Sequence, residues 1–195
     1  MQNMFKDCHK LTSLDLSGIN SNPSQMNNLF QNCYELKYLN VKNLLTDKAL
    51  YPGHIFENCY SLESLDLSSF TFLHAKNLEA TFKNCYSLTS INLENFDTSE
   101  LMLMSSMFEN CTKLTSLDLS HFYTNEVTSM DYMFHNCTAL ETLIVPFNTL
   151  KVRYMQNMFS YCTSLTELHI GTFFTANVYN MTDMFDQDYN LTLYM

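Results

Sequence analysis

Hydrophobic and polar residues alternate in short stretches that return all along this chain, and the stretch from Leu114 to Phe122 shows the pattern best. Leu114, Leu117 and Leu119 follow an L-x-x-L-x-L spacing, and Asp118 lies between the last two leucines. A period of two puts both leucines on one side of an extended backbone and Asp118 on the other. The pattern therefore predicts a half-buried β-strand with a polar outer face.

After Phe122 the hydrophobic period changes from two to between three and four. Val127, Met130, Phe134 and Cys137 follow at helical offsets, and Thr124 stands where a helix N-cap is expected. These residues predict a short helix that turns one side inward. Pro52-Gly53 interrupts the same pattern between Thr46 and Phe56, so we expect a local irregularity in that stretch.

Strand and helix patterns together form a unit that repeats every 25 or 26 residues. A phenylalanine precedes each cysteine by three residues, and Phe185 keeps the frame where Asp188 replaces the cysteine. A fixed period of this length is typical of a solenoid. We predict an α/β repeat solenoid of the leucine-rich-repeat type over residues 1–195, a single domain with a parallel β-sheet on one face, short helices on the other and about seven or eight coils. All the cysteines hold one repeat position: Cys8, Cys33, Cys59, Cys85, Cys111, Cys137 and Cys162.

The cysteine column predicts a structural role. No two cysteines are closer than 25 residues, so the chain has no C-x-x-C pair of the kind that binds a metal. Neighbouring thiols of a stack are candidates for disulfides, but an odd number of equally spaced thiols favours small buried apolar fillers in the reduced state. We predict a structural ladder and no metal site or cofactor.

Composition narrows the function classes. The net charge is −10 without a cluster of Lys and Arg, which argues against a nucleic-acid partner. No apolar run reaches the ~20 residues that span a bilayer, so we expect no direct membrane insertion. The six histidines are scattered, with no recurring Ser, Cys or carboxylate partner, which predicts no catalytic residues and no enzymatic activity.

The outward positions of the predicted strands are the candidate binding surface. We expect a polar, mildly acidic concave face suited to a basic or glycan partner. Two neighbouring columns supply it, and the tentative binding residues are Asp15, Tyr38, Asn40, Asp66, Asn92, Asp118, Ile144, Glu167 and His169.

The repeat, written C-x-x-L-x-x-L-D-L-S-x-F-x-T-x-x-V-x-x-M-x-x-M-F-x-N-C, resembles the BspA-like leucine-rich repeat family in its methionine-rich bacterial form. The resemblance covers the whole chain and is closest from Leu114 to Cys162. It implies a cell-surface or secreted protein that binds a protein or glycan on another cell or matrix. A cytoplasmic location is the alternative.

Other functions stay open. The pattern begins and stops inside a repeat, so we expect a fragment of a longer protein, and the alternative function is a structural spacer or assembly element that self-associates through its open ends. Calcium binding by Asp15, Asp66 and Asp118 is disfavoured, because alternate coils hold these carboxylates about 10 Å apart. Ice binding is a weak further alternative, carried by the column Thr98, Thr124, Thr149 and Thr175.

Overall fold

A computed structural model describes all residues 1–195 as a solenoid whose regular elements are eight short strands. Each strand has three residues, and in β1 to β7 the middle leucine or isoleucine is turned inward and its neighbours outward. The strands therefore bound seven full turns of the chain. They are β1 (Ser13–Asp15), β2 (Tyr38–Asn40), β3 (Ser64–Asp66), β4 (Ser90–Asn92), β5 (Ser116–Asp118), β6 (Thr142–Ile144), β7 (Glu167–His169) and β8 (Thr192–Tyr194).

The strands pair in parallel, but only two by two. β1 pairs with β2, β3 with β4, β5 with β6 and β7 with β8, each in register so that Asp15 lies beside Asn40 and Asp66 beside Asn92. No pairing joins β2 to β3, β4 to β5 or β6 to β7. The predicted parallel sheet is thus a row of two-stranded sheets separated by three unpaired junctions.

The side opposite the strands is built from stacked turns, and the predicted short helices are wrong. The amide of Cys111 donates to the carbonyl of Phe108, three residues earlier, at 3.1 Å. The amide of Phe108 itself donates across to Met133 in the next coil at 2.9 Å, and that of Asn110 donates to His135 at 2.8 Å. Along the turn segment, amides that donate within their own coil therefore alternate with amides that donate to the next coil. In a helix every amide would donate within the same segment.

The backbone dihedral angles show why no helix forms. Ser106 and Asn110 have φ of 58° and 63°, in the left-handed region, and equivalent residues of the other coils do the same. Each coil thus has two left-handed residues four positions apart in its turn segment, and each of them ends a right-handed turn. The buried residues have the same sequence spacing as in a helix, because successive turns of this segment also place an inward side chain every three or four residues. Thr124 caps no helix, since its hydroxyl donates to the carbonyl of Asn148 at 3.0 Å.

A ladder of asparagine side chains runs along one edge of these turns. Each residue is left-handed, with φ between 58° and 64°, and each amide group donates to the side-chain oxygen of the preceding coil at 2.6 to 2.8 Å. Asparagine tolerates this backbone region better than other side chains do. The ladder starts at the carboxylate of Asp7 and runs through Asn32, Asn58, Asn84, Asn110 and Asn136.

Beneath the turns lies a continuous core of 51 buried residues. Its centre is the phenylalanine column from Phe5 to Phe185, whose neighbouring ring centroids are 5.3 to 5.8 Å apart. Burying one such ring is worth about 1.5–3 kcal/mol. The core and the turn ladder therefore share one repeat distance, and each supports the spacing of the other.

Pro52 produces the irregularity that the sequence indicates, though by another route than helix breaking. In the next coil the equivalent residue, Leu78, donates its amide to the carbonyl of Leu103 at 3.0 Å. Proline has no amide hydrogen to make this bond. A column of isolated parallel β-bridges accordingly begins only in the coil after Pro52. It joins Asn77, Leu103, Ser129, Tyr154 and Asn180.

We predict that Asn84→Ala lowers the free energy of unfolding by about 2–4 kcal/mol, because two side-chain hydrogen bonds are lost and alanine is strained at φ 61°. Asn84→Gly keeps the backbone relaxed and loses only the ladder, so it should cost less. Urea unfolding of the three chains measures this. Equal stability of the alanine variant and the parent would contradict the ladder's role.

Candidate functional site

The outward side chains of β1 to β8 form one surface, called here the strand face. Its two columns contain every binding residue predicted from the sequence, and the structure adds Tyr194, which closes the second column. The first residues of the strands are Ser13, Tyr38, Ser64, Ser90, Ser116, Thr142, Glu167 and Thr192. The third residues are Asp15, Asn40, Asp66, Asn92, Asp118, Ile144, His169 and Tyr194.

The aspartates of the strand face end their strands. An oxygen of Asp66 accepts a hydrogen bond from the amide of Ser68 at 3.0 Å, and Asp118 accepts one from Ser120 at 2.8 Å. These backbone bonds, together with the serine hydroxyls, lower the pKa of both carboxyl groups. One oxygen of each ionised carboxylate is thus bound locally, and these exposed side chains keep a second oxygen for a partner.

Aspartate and asparagine alternate along this column for an electrostatic reason. Asn40 lies beside Asp15 in the parallel register, and its side-chain amide adds a small effect to that of Ser17 in lowering the pKa of Asp15. Asn92 relates to Asp66 in the same way. Two carboxylates on adjacent coils would face each other across about 4.8 Å, where like charges destabilise a sheet. The alternation avoids that contact.

Depressions in the strand face lie at all three unpaired junctions. At the β4–β5 junction a recess of about 580 Å³ is lined by Asn92, Glu94, Ser116, Asp118 and His121, among others. His121 Nε2 lies 3.0 Å from the carbonyl oxygen of Leu93, so it donates there. This recess carries two carboxylates and no Lys or Arg. A smaller depression of about 350 Å³ at the β2–β3 junction mixes charges, with Lys37, Lys42 and Asp66 in its wall.

The C-terminal half of the strand face is the more apolar one, although Thr142, Glu167 and Thr192 also lie on it. Ile144 is 45% exposed, and the rings of His169 and Tyr194 stack with centroids 4.8 Å apart. A depression of about 630 Å³ at the β6–β7 junction is lined by these three residues and by Val145 and Pro146, among others. The face therefore offers two neighbouring surfaces of different chemistry.

The sequence predicted a concave strand face together with outer helices, and the structure has no outer helices. Outer helices would hold neighbouring coils about 8–10 Å apart while the strands stay about 4.8 Å apart, and this difference bends a solenoid. Here the turn side repeats at the 5.3 to 5.8 Å spacing of the phenylalanine rings. The surface of this face is shaped by the depressions at the three unpaired junctions and by a further small depression over the paired strands β3 and β4.

The cysteine column lies inside the solenoid. All seven cysteines are free and six are buried, each of the six thiols lying 3.1 to 3.3 Å from a phenylalanine carbonyl of the preceding coil. Burial raises the pKa of Cys85 and Cys137 to about 12. No three His, Cys, Asp or Glu side chains meet in a group that would hold a metal ion. The chain contains no helix with the length and apolarity to cross a bilayer.

Asp188 occupies the cysteine position of the last coil. Both of its carboxylate oxygens are buried and have no hydrogen-bond partner. Burial, reinforced by the charge of Asp186, raises its pKa to about 7. The ionised form is therefore disfavoured where the other coils place a neutral thiol.

A histidine–serine contact on the turn side was not visible in the sequence. His135 Nδ1 lies 2.7 Å from the hydroxyl of Ser160, residues that share one repeat position in adjacent coils. Ser160 is fully buried, and its hydroxyl donates to the carbonyl of Asn157 at 3.0 Å. Because no substrate reaches a buried hydroxyl, this pair joins two coils and is not a nucleophilic site.

The threonine column considered for ice binding is also structural. Thr98, Thr124 and Thr149 are buried and Thr175 is exposed, so this column presents no regular array of threonines to ice. The hydroxyls of the three buried residues bond to the backbone of the next coil, as when Thr98 accepts the amide hydrogen of Tyr123 at 2.7 Å.

Comparisons with known proteins agree with this architecture. The family model described as "Mycoplasma protein of unknown function, DUF285" matches residues 1–116 and 76–193. Among solved structures, the T. pallidum leucine-rich repeat protein is similar over 84% of this chain and 69% of its own, with 22% identity and a TM-score of 0.56. That likeness shows a leucine-rich-repeat-like fold.

A leucine-rich repeat protein from Bacteroides ovatus covers 87% of this chain and 69% of its own at 15% identity, and its TM-score of 0.26 is too low to support an argument. A comparison with curated proteins gave no match.

We predict that Asp188→Cys stabilises the last coil in a pH-dependent way. A carboxyl group whose pKa is raised on folding binds more protons in the folded state than in the unfolded state. The stability of the folded coil that contains Asp188 therefore falls as pH rises between 3.8 and about 7. The gain from Asp188→Cys should be smallest at the acidic end of this window and constant above it. Hydrogen exchange of the hydrogen-bonded amides of Asp186, Asp188 and Leu191 measures it, and a gain independent of pH would contradict the account.

Proposed function

This chain belongs to the DUF285 family of Mycoplasma proteins of unknown function, and we propose that it is a non-enzymatic protein-binding module that recognises its partner with the strand face. Solenoids of this kind hold a stack with their inward residues and leave outward residues free to vary. In this chain the turn side is occupied by ladders that join the coils. The strand face keeps recesses and free carboxylate oxygens.

The observation that carries the proposal is the acidic recess at the β4–β5 junction. Glu94 and Asp118 line it without a Lys or Arg, and the carboxylate of Asp118 is held in place by Ser120. A positioned carboxylate in a recess is complementary to a Lys or Arg side chain. The overall charge of −10 favours the approach of a basic partner and disfavours nucleic acid.

The apolar half would supply most of the affinity. Aromatic and aliphatic side chains in recesses are the usual energetic centres of protein interfaces, and His169, Tyr194 and Ile144 provide such a group beside the acidic half. A matching partner presents a basic segment followed by an apolar one. The same aromatic stack would also suit the apolar face of a sugar ring, so a glycan is included.

The resemblance to BspA-like repeats extends the proposal to adhesion. On that basis the module would sit on the cell surface or be secreted and bind a protein or glycan of another cell or matrix. Burial of six thiols would protect them from oxidation outside the cell, and the same thiols would be stable in the cytoplasm, which is the alternative location.

We predict that Asp66→Asn with Asp118→Asn weakens binding about tenfold or more while the fold is unchanged, because two charges are lost and asparagine already holds the same position at Asn40 and Asn92. The measurement is saturation binding to immobilised matrix proteins, glycans and intact cells.

The matched control is Glu100→Gln with Glu126→Gln, which removes the same charge from the turn side. It should bind like the parent. Equal loss in both double variants would show a non-specific charge effect, and no saturable binding by the parent to any target would contradict the proposal.

A further inference from the structure

The three unpaired junctions of the strand face recur at a constant interval along the solenoid. They lie between β2 and β3, between β4 and β5, and between β6 and β7, so two coils separate each junction from the next. At a strand spacing of about 4.8 Å, two coils correspond to about 10 Å. A ligand that occupies more than one of the depressions at these junctions must present its contacting groups at that interval.

Each of these depressions is also lined by a residue whose backbone amide lacks a hydrogen bond. At a paired junction this amide bonds to the next coil, as when Leu67 donates to the carbonyl of Asn92 at 3.2 Å. At the unpaired junctions the equivalent amides have no acceptor, and they belong to Val41, Leu93 and Val145. Since these amides point across the junction, a polar group that enters it can complete the bond.

The residue after each free amide departs from the repeat. The repeat pattern has serine at this position, as in Ser68 and Ser120 of the intervening coils. Beside the free amides the position is occupied by Lys42, Glu94 and Pro146, and each of them lines its depression. The coils that lack the strand pairing are therefore also the coils that place a distinctive side chain in a depression.

The three depressions consequently differ in charge. Two lysines outnumber Asp66 in the first, at the β2–β3 junction, so it suits an acidic side chain. Glu94 and Asp118 give the second a negative charge, so it suits a basic side chain. Ile144 and Pro146 make the third, at the β6–β7 junction, more apolar. A ligand that fills all three carries an acidic, a basic and an apolar group in that order.

We propose that the strand face binds a linear peptide in the polyproline II conformation, with every third side chain in one depression; this inference rests on the binding function proposed above. Polyproline II has three residues per turn and a rise of about 3.1 Å, so side chains three apart lie on one side at intervals of about 9.3 Å. That interval matches the spacing of two coils. The peptide carries an acidic residue at the first depression, an arginine at the second and a large apolar residue at the third.

Other ligands fit this spacing and chemistry less well. A β-strand returns to one face every two residues, or about 6.7 Å, and misses the junctions. A helix returns to one face after seven residues, or about 10.5 Å, but it is about 10–12 Å wide and bonds its backbone groups internally. A polyproline II backbone has no internal hydrogen bonds, so its carbonyls remain available to the amides of Leu93 and Val145. A neutral glycan offers no cation to Glu94 and Asp118.

The test uses two synthetic peptides with blocked ends, titrated into the parent chain and followed by NMR. Their sequences are Glu-Pro-Pro-Arg-Pro-Pro-Leu and the reverse, because the depressions fix the order of the side chains but not the direction of the peptide. We expect at least one of them to bind saturably and to shift the amide signals of Leu93 and Val145. Moving its arginine by one position leaves the composition unchanged and should raise the Kd about tenfold or more.

Exchange of charge between protein and peptide locates the contact. Glu94→Lys with Asp118→Asn should raise the Kd of the binding peptide about tenfold or more, and this variant should prefer a peptide with glutamate in place of the arginine. The matched control, Glu100→Lys with Glu126→Gln, makes the same change of net charge on the turn side. It should keep the preference of the parent, with unchanged thermal unfolding of both variants.

The proposal is overturned if neither peptide binds, if the displaced arginine makes no difference, or if both double variants behave alike. It is also overturned if a helical peptide with the same three side chains seven residues apart binds more tightly. When the parent binds a matrix protein, a glycan or intact cells but neither peptide, only this inference fails and the proposed function stands. When the parent binds none of these targets, the proposed function fails as well.

Discussion

The hydrogen bonds that alternate amides of the turn segments donate to the next coil are the interaction on which this structure depends. Phe108 to Met133 is one example, at 2.9 Å, and each coil except the last donates equivalent bonds. They set the repeat distance on the side where other leucine-rich solenoids are expected to carry helices. The phenylalanine stack, the thiol-to-carbonyl contacts and the asparagine ladder all follow at that distance. Because strands pair only two by two, the turn side holds the coils together continuously and the strand side does not.

This arrangement requires left-handed residues at fixed places, and the chain supplies them without glycine. Seventeen non-glycine residues have positive φ, eight of them asparagine, although the chain has 3 glycines in total. Each asparagine of the ladder contributes both a tolerated backbone conformation and an amide that bonds the neighbouring coil. The conformational cost of the turn is thus offset by contacts between coils, which exist only once the stack has formed. Stability is therefore cooperative between neighbouring repeats.

Much of the fold could be predicted from the sequence, because buried columns repeat with the chain. The period, the inward leucines and the outward aspartates of the strands come directly from it. The helices were wrong because buried positions such as Met130, Phe134 and Cys137 have the same spacing in a helix as in successive turns, and only the asparagine before the cysteine separates the two. The recesses were not predictable, since they depend on how neighbouring strands and their side chains are placed in space. Asp188 was visible as a departure, but its burial and raised pKa needed the fold.

The turn side joins the coils and the strand side does not, which supports the proposal that the strand face is the surface for recognition. This difference between the two sides holds only if the turn side is joined as described. Hydrogen-bond scalar couplings in NMR observe a donor and its acceptor together, so they test this most directly. The account predicts a coupling between the amide nitrogen of Phe108 and the carbonyl carbon of Met133. A coupling from Phe108 to Met104, four residues earlier, would show a helix and contradict it.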